Sequence, residues 1–480
     1  MRLPPGAAVA LLVLAAACEH APVAPSARDA VTAVTIGNPI RELMVGQTWC
    51  FRADVVAGPR ARSGGGVTWR TRHGARNGAL GDDGCYEADS VGADTITAVS
   101  LADTTRTSSV GVGIVPGPAW PEGALEDLTF PTYDGSGQAV HPSEVALCKA
   151  GPRRWRFHTA VTPYPALRAA YENPSVFVSS DGRHWVVQPG TSNPLVLPGT
   201  EATTPAVGRA RYYTGFMGSN WGTLSDPDLV CDADAHRLRL YFRQVDGGGE
   251  YVFLMENRGD SVWTQPQTVM VAHPDQGGVL ISPSVARWQG QWRAWFVQGQ
   301  CGAPASSVVT GASSDGRTWV GKLGAVDIVQ PGYVVWHLQV RAFGGALWML
   351  YSAYPALAGH CFEGDLFLAR SDDGQSWATY GRPLLDHNDW PDFEAGLYRS
   401  SMVYDSAGDL LTLQLSGFHH ATAGLESATR TIRLLFRDVL GRLGPVARPK
   451  PSPALHPQLR VRAVGLPFGD GEGAGPAGGD

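Results

Sequence analysis

Short runs in which apolar and polar residues alternate recur along most of the chain, and helical periodicity is scarce throughout. A period of two sends alternate side chains to opposite faces and predicts strands. Between about Ala30 and Val115 the runs VTAVTI, MVGQTWCFRADVV, VTWRT, DTITAVS and SSVGVGIV are separated by glycine-rich turns, which predicts a small β-sandwich. From about Leu125 to Arg448 a second series aligns on five segments: HPSEVAL from His141, SDPDLVC from Ser225, SPSVARW from Ser282, WHLQVRAF from Trp336 and YRSSMVY from Tyr398. The first four lead into second strands, WRFHTAV, LRLYFRQV, WRAWFVQG and LWMLYSAY, and the fifth into LLTLQLSG and TIRLLFR. Repeats of this kind predict an all-β chain whose larger part is a five-bladed propeller, with EDLTFPTYD as a candidate closing strand.

Three of the repeats carry Ser-x-Asp-Gly-x-x-Trp, as SSDGRHW from Ser179, SSDGRTW from Ser313 and SDDGQSW from Ser371, and ENRGDSVW from Glu256 reads as a decayed copy. Asp and Gly make the tight turn, Ser and Asp bond its backbone, and Trp185, Trp319 and Trp377 plug the sheet. The pattern resembles the Asp-box of sialidase-type β-propellers, where it lies opposite the active face, so its expected role is structural. The N-terminal unit, with VGQT, VTW and a Gly-Ala-Asp-Thr-Ile-Thr-Ala strand, resembles the group 2 bacterial immunoglobulin-like domain. Across about two thirds of the chain the whole resembles the five-bladed propeller glycoside hydrolases, a group that includes arabinanases and levansucrases. That resemblance implies an exo-acting glycosidase. Arabinanase-type members offer Asp, Asp and Glu at the first three blade mouths, whereas His141, Asp226 and Ser282 stand here, so only Asp226 carries over. The three arginines of sialidases are not matched either, since Arg399 alone occupies such a mouth.

A net charge of −6 supplies no basic field for a polyanion and excludes nucleic acid as an expected partner. Residues 1–18 read as an export signal ending at Cys18, a candidate lipidation site, with 19–29 as a tether. The expected location is therefore the cell envelope, with the membrane touched only through a lipid, and the protein a monomer. Residues 30–115 form the sandwich, 116–124 a stiff linker, 125–448 the propeller and 449–480 a Pro/Gly-rich tail. The remaining six cysteines suggest disulfides, Cys50 with Cys85, Cys301 with Cys361 and Cys148 with Cys231. No Cys/His cluster has zinc spacing, so no metal or other cofactor is expected beyond a structural calcium.

If the Asp-box turns lie at one end, the innermost strands begin at the other, which gathers His141, Asp226, Asp228, Ser282, His337 and Arg399 round the axis. Asp226 and Asp228 flank Pro227, and strand periodicity aims both one way, with one pKa raised unless a cation such as Arg399 sits nearby. Glycoside hydrolysis needs two carboxyl groups, one as acid and one as base or nucleophile. Asp226 and Glu172, with Asp228, are the candidate catalytic residues, and Glu394 is the rival acid. His141, His337 and Arg399 are candidate substrate ligands, and Trp336 and Trp221 candidate stacking platforms for a sugar ring. The expected function is hydrolysis of an oligosaccharide or polysaccharide. The alternatives are a catalytically silent carbohydrate-binding lipoprotein and a protein-interaction scaffold.

Overall fold

Alternation along the chain becomes strand after strand in the computed structural model. It describes residues 31–447 and 459–461, except 46–47, 58–65, 73–75, 117–122, 147, 149–154, 197–199, 202–211, 214–222, 247–248, 258–261, 273–279, 320 and 423. The export signal, Cys18, the tether, Trp221 and most of the tail lie outside the described residues. Chain contacts divide the molecule into two units, one dominated by residues 31–113 and one by the chain from Ile114 onward.

In the first unit Val31–Ile36 pairs with Ala53–Ala57, and Val67–Thr71 pairs with Gly92–Ser100, which lies beside Thr107–Val115. Two further short strands, Gly78–Leu80 and Cys85–Ala88, pair with each other. Tyr86, Ile96, Ala98 and Val112 are buried, and Cys50 is disulfide-bonded to Cys85.

The second unit is a β-propeller whose described residues form five sheets of four or five strands and a small two-stranded pair, Thr200–Glu201 with Tyr212–Tyr213. Their innermost strands are Ala139–Ala146, Thr223–Asp232, Ile281–Trp288, Tyr333–Phe343 and Ser401–Asp405, each packed beside the next and the last beside the first. Second strands follow antiparallel, from Phe157–Pro163 in the first sheet to Leu410–Ala421 in the fifth. Glu126–Asp127 pairs with Gly424–Leu435, so residues preceding the first sheet complete the fifth and close the ring. Leu459–Val461, which the sequence places in the tail, adds an outer strand to the third sheet. One helix, Phe436–Leu443, continues the last long strand and buries Phe436, Val439 and Leu443. The pairs Cys148–Cys231 and Cys301–Cys361 are both formed.

Each Asp-box is the turn between third and fourth strands. Ser179 Oγ accepts from the Gly182 N–H at 2.9 Å while Asp181 Oδ1 accepts from the Arg183 and His184 amides at 2.8 Å, and the other two copies repeat this. Neighbouring sheets then dock on the turns: Tyr241 donates to the Gly316 carbonyl and Trp295 to that of Gly374. The boxes therefore lock adjacent sheets at the base, opposite the end where the innermost strands start.

A second lock lies on the axis. The amides of Leu229, Val285, Val340 and Met402 donate to Ser143, Asp228, Ser284 and Gln339 of the preceding innermost strand, at 2.7–2.8 Å. Each such bond contributes roughly 1 kcal/mol net, and leaving one unmade in a dry interior costs more.

Candidate metal centre at the upper end of the channel

The innermost strands begin with a shared irregularity. His141, Asp226 and Ser282 each precede proline and take φ of 57°, 53° and 53°, and the pairing register slips at each. A left-handed backbone at a residue with a Cβ costs about 1–3 kcal/mol and persists only where surrounding contacts fix it. These are β-bulges, which bend the strand and re-aim one side chain into the channel. In the fourth sheet the register slips between Val335 and His337, which delivers His337 to the same place.

Three of these side chains converge. His141, Asp226 and His337 are buried, and a ligand atom of each lies within 4.8 Å of the others. His141 Nε2 is 3.5 Å and His337 Nδ1 3.2 Å from Asp226 Oδ1. His141 Nδ1 lies 2.9 Å from Thr162 Oγ1, whose hydroxyl points to the Val140 carbonyl, and His337 Nδ1 lies 2.6 Å from Ser282 Oγ, whose hydroxyl points to Asp226. The Nε2 atoms of both histidines are buried without a hydrogen-bond partner. Burial holds both imidazoles below their usual pKa despite Asp226.

Burial works to raise the pKa of Asp226, but His141, Arg243 and His337 overcome it and hold the carboxyl well below its usual range. Arg243 Nε binds Asp226 Oδ2 at 2.6 Å and leaves Oδ1 to the histidines. Glu172 follows the short turn Ala169–Tyr171 and stands 3.4 Å from His141 Nδ1. Burial, with Asp226 adding to it, pushes its carboxyl well above the usual range. Trp336 and Tyr398, both buried, pack edge-to-face against His337 with ring centroids 5.4 and 4.2 Å away, and Tyr164 lies near Glu172.

Residues expected at the site divide by layer. Asp226, Glu172, His141, His337 and Trp336 are together. Asp228 is not beside Asp226 in function: the bulge breaks the two-residue alternation, and its carboxylate accepts from Ser143, the Val285 amide and Arg341 one layer below. Arg399 is wholly buried: its N–H groups donate to the carbonyls of Pro227, Pro283 and Leu338, tying three bulges together, and its guanidinium lies 3.9 Å from both Asp226 and Asp228, the balancing cation the sequence offered for that pair. Glu394 is exposed and accepts from the His420 amide. Arg243 was missed, because an arginine in a second strand carries no motif; it meets Asp226 only through its register opposite Ser225. A further group, Asp365, Asp386 and His387, has its carboxylates already engaged by His387 and the Asn388 amide.

Two orphaned imidazole nitrogens beside an ionised carboxylate, each imidazole oriented by a hydroxyl, form a donor set that fits a divalent transition metal. No family model matches the chain. Over 325 residues it is 29% identical to the A type blood N-acetyl-alpha-D-galactosamine deacetylase of Flavonifractor plautii, covering 58% of this chain and 40% of that protein. The chain therefore spans less than half the length of that relative. A crystal structure of an N-acetylgalactosamine deacetylase from F. plautii, in complex with blood group B trisaccharide, superposes with a TM-score of 0.55 at 20% identity, over 68% of this chain and 99% of that one. The two share a fold. A thermostable family-43 glycoside hydrolase is more distant, at TM-score 0.45 and 15% identity over 70% of this chain and 97% of its own. The sequence relative and the structure that superposes at a TM-score of 0.55 are both N-acetylgalactosamine deacetylases of F. plautii.

Proposed function

We propose that the chain is a hydrolase that removes the acetyl group from an N-acetylated sugar, with a divalent cation held by His141, Asp226 and His337. The observation that carries this reading is the buried convergence of His141, His337 and Asp226, with a ligand atom of each within 4.8 Å of the others and the Nε2 atoms of both histidines left without a hydrogen-bond partner. The similarity to a deacetylase supports it. A cation there would polarise the acetamido carbonyl and acidify a water. The chain's own residues do the rest. Arg243 holds Asp226 ionised and turned, Thr162 and Ser282 fix the two imidazoles, and Glu172, protonated beside the cluster, hands its proton to the departing amine as the C–N bond breaks. The water gives up one proton to solvent as it attacks, acetate leaves with the water oxygen, and the hydroxyl proton carried on the new carboxyl group returns Glu172 to the acid form.

A second reading, glycoside hydrolysis, is favoured by Asp226 and Glu172 both adjoining His141. Against it, the imidazole fills the space between the two carboxyls, where a glycosidase seats the scissile bond. Export and lipidation at Cys18 belong to the proposal on the N-terminal sequence alone. The test is to strip the protein with a chelator, then assay acetate released from N-acetylgalactosamine- and N-acetylglucosamine-terminated oligosaccharides as Mn2+, Zn2+ or Co2+ is restored. Metal-dependent acetate release supports the reading. Reducing ends without acetate would establish the glycosidase, and retention without turnover the carbohydrate-binding alternative.

A further inference from the structure

Four of the five seams between innermost strands are stapled by one device, and the fifth is not. Ser143, Asp228, Ser284 and Gln339 each accept an amide from the next strand. Ser401 holds the equivalent position in the fifth sheet, two residues after Arg399, yet its Oγ is buried with no hydrogen-bond partner. Two further orphans face the same seam, Glu144 Oε1 on the first sheet and Gln414 Nε2 on the fifth. Register brings them together: Ser401 lies opposite Gln414, Glu144 opposite Thr159, and Thr159 Oγ1 is 2.8 Å from Gln414 Oε1. All four residues are at most 1% exposed.

We infer that this seam binds a hard, calcium-sized cation, Ca2+ or Na+, between Glu144, Ser401 and the Gln414 carboxamide, which closes the ring where the amide staple is missing. The donors are oxygens, as such ions require. Thr159 can accept from the Gln414 nitrogen as well as donate to its oxygen, so a half-turn of the amide presents the oxygen to the ion without steric change. Glu144 has no cation of its own: burial alone pushes its carboxyl up to about 8, and Arg341 nearby is already committed to Asp228 and the Leu229 carbonyl. Glu144 borders a cavity of about 330 Å³ at the base of the channel, together with Leu229, Val285, Arg341 and Met402 from the other innermost strands.

This site is separate from the upper cluster and stands whether or not that cluster is catalytic. The test measures the melting temperature of the chelator-treated full chain in choline chloride, with Ca2+ or Na+ added in separate titrations. The expected result is a saturable rise of several degrees with at least one ion, abolished in Glu144→Gln and kept in His337→Ala. Should Glu144→Gln fail to fold, Ser401→Ala is expected to fold and to need about tenfold more ion for half the rise. Indifference of the parent to both ions, an undiminished response in Glu144→Gln or Ser401→Ala, or loss of the response in His337→Ala would overturn the proposal, leaving a buried water or the upper site as the explanation.

Discussion

Asp226 shows how much one side chain depends on its second oxygen. Arg243 takes Oδ2 at 2.6 Å, so Oδ1 alone faces the two histidines. Arg243→Gln is expected to fold and to lose roughly 10- to 100-fold in divalent-metal affinity, the usual effect of removing a partner that orients a ligand. Isothermal titration against Mn2+ or Zn2+ checks this. Glu172 carries a different signature. Its raised pKa keeps the acid form to higher pH than in a free glutamate, so activity should fall as pH rises and the proton is lost. Glu172→Gln should lower kcat by about 10²–10⁴ and flatten that alkaline limb. A limb unchanged in the variant would remove Glu172 as the proton donor.

Single elements carry much of the fold, and their local chemistry explains what could be read early. The Asp-boxes were legible because turn, bonds and plug all sit within seven residues. Partial burial works to raise the pKa of Asp181, yet the His184 and Arg183 amides and the Ser179 hydroxyl hold it at about 2. A lowered folded pKa means that its stabilisation is complete above about 4 and drains away as pH falls towards 2. Asp181→Asn should therefore lower the melting temperature at pH 7 and leave it nearly unchanged at pH 2. The innermost strands were also legible, from alternation and from the recurring residue–proline start. What the starts conceal is the bulge. A left-handed residue before proline inverts the expected alternation, which is why Asp226 and Asp228 part company and why the metal-like grouping of His141, Asp226 and His337 has no sequence spacing to reveal it. Such a site is assembled from three sheets, and only closure of the ring brings it into being.

At the scale of the whole molecule the propeller is a layered axis. Strained, aromatic-walled polar groups lie at the top, a hydrogen-bonded belt lies beneath them, and the basal cavity opens below. From the sequence Arg399 reads either as a substrate ligand or as the cation balancing Asp226 and Asp228; it lies 3.9 Å from both carboxylates, and its ties to three neighbouring sheets were not legible along the strand. The weakest point of the belt is the seam between fifth and first sheets, where Glu144 is buried without a counter-charge. Its folded pKa of about 8 lies above its unfolded value near 4.5, so without bound cation its share of stability is complete below about 4.5 and is lost as pH rises towards 8. Glu144→Gln should then be the more stable form at pH 8 in ion-free buffer, by a few kcal/mol at most, and show no such gain at pH 4. Chemical denaturation at the two pH values tests the sign.

The central claim is that the upper cluster hydrolyses an acetamido group rather than a glycosidic bond. Proton NMR of one reaction, the protein with an N-acetylgalactosamine-terminated trisaccharide and Mn2+, distinguishes the two products directly. The account predicts growth of the free acetate methyl signal with the anomeric linkage intact, absent in His337→Ala. Appearance of a free reducing sugar with its acetamido methyl retained would contradict it.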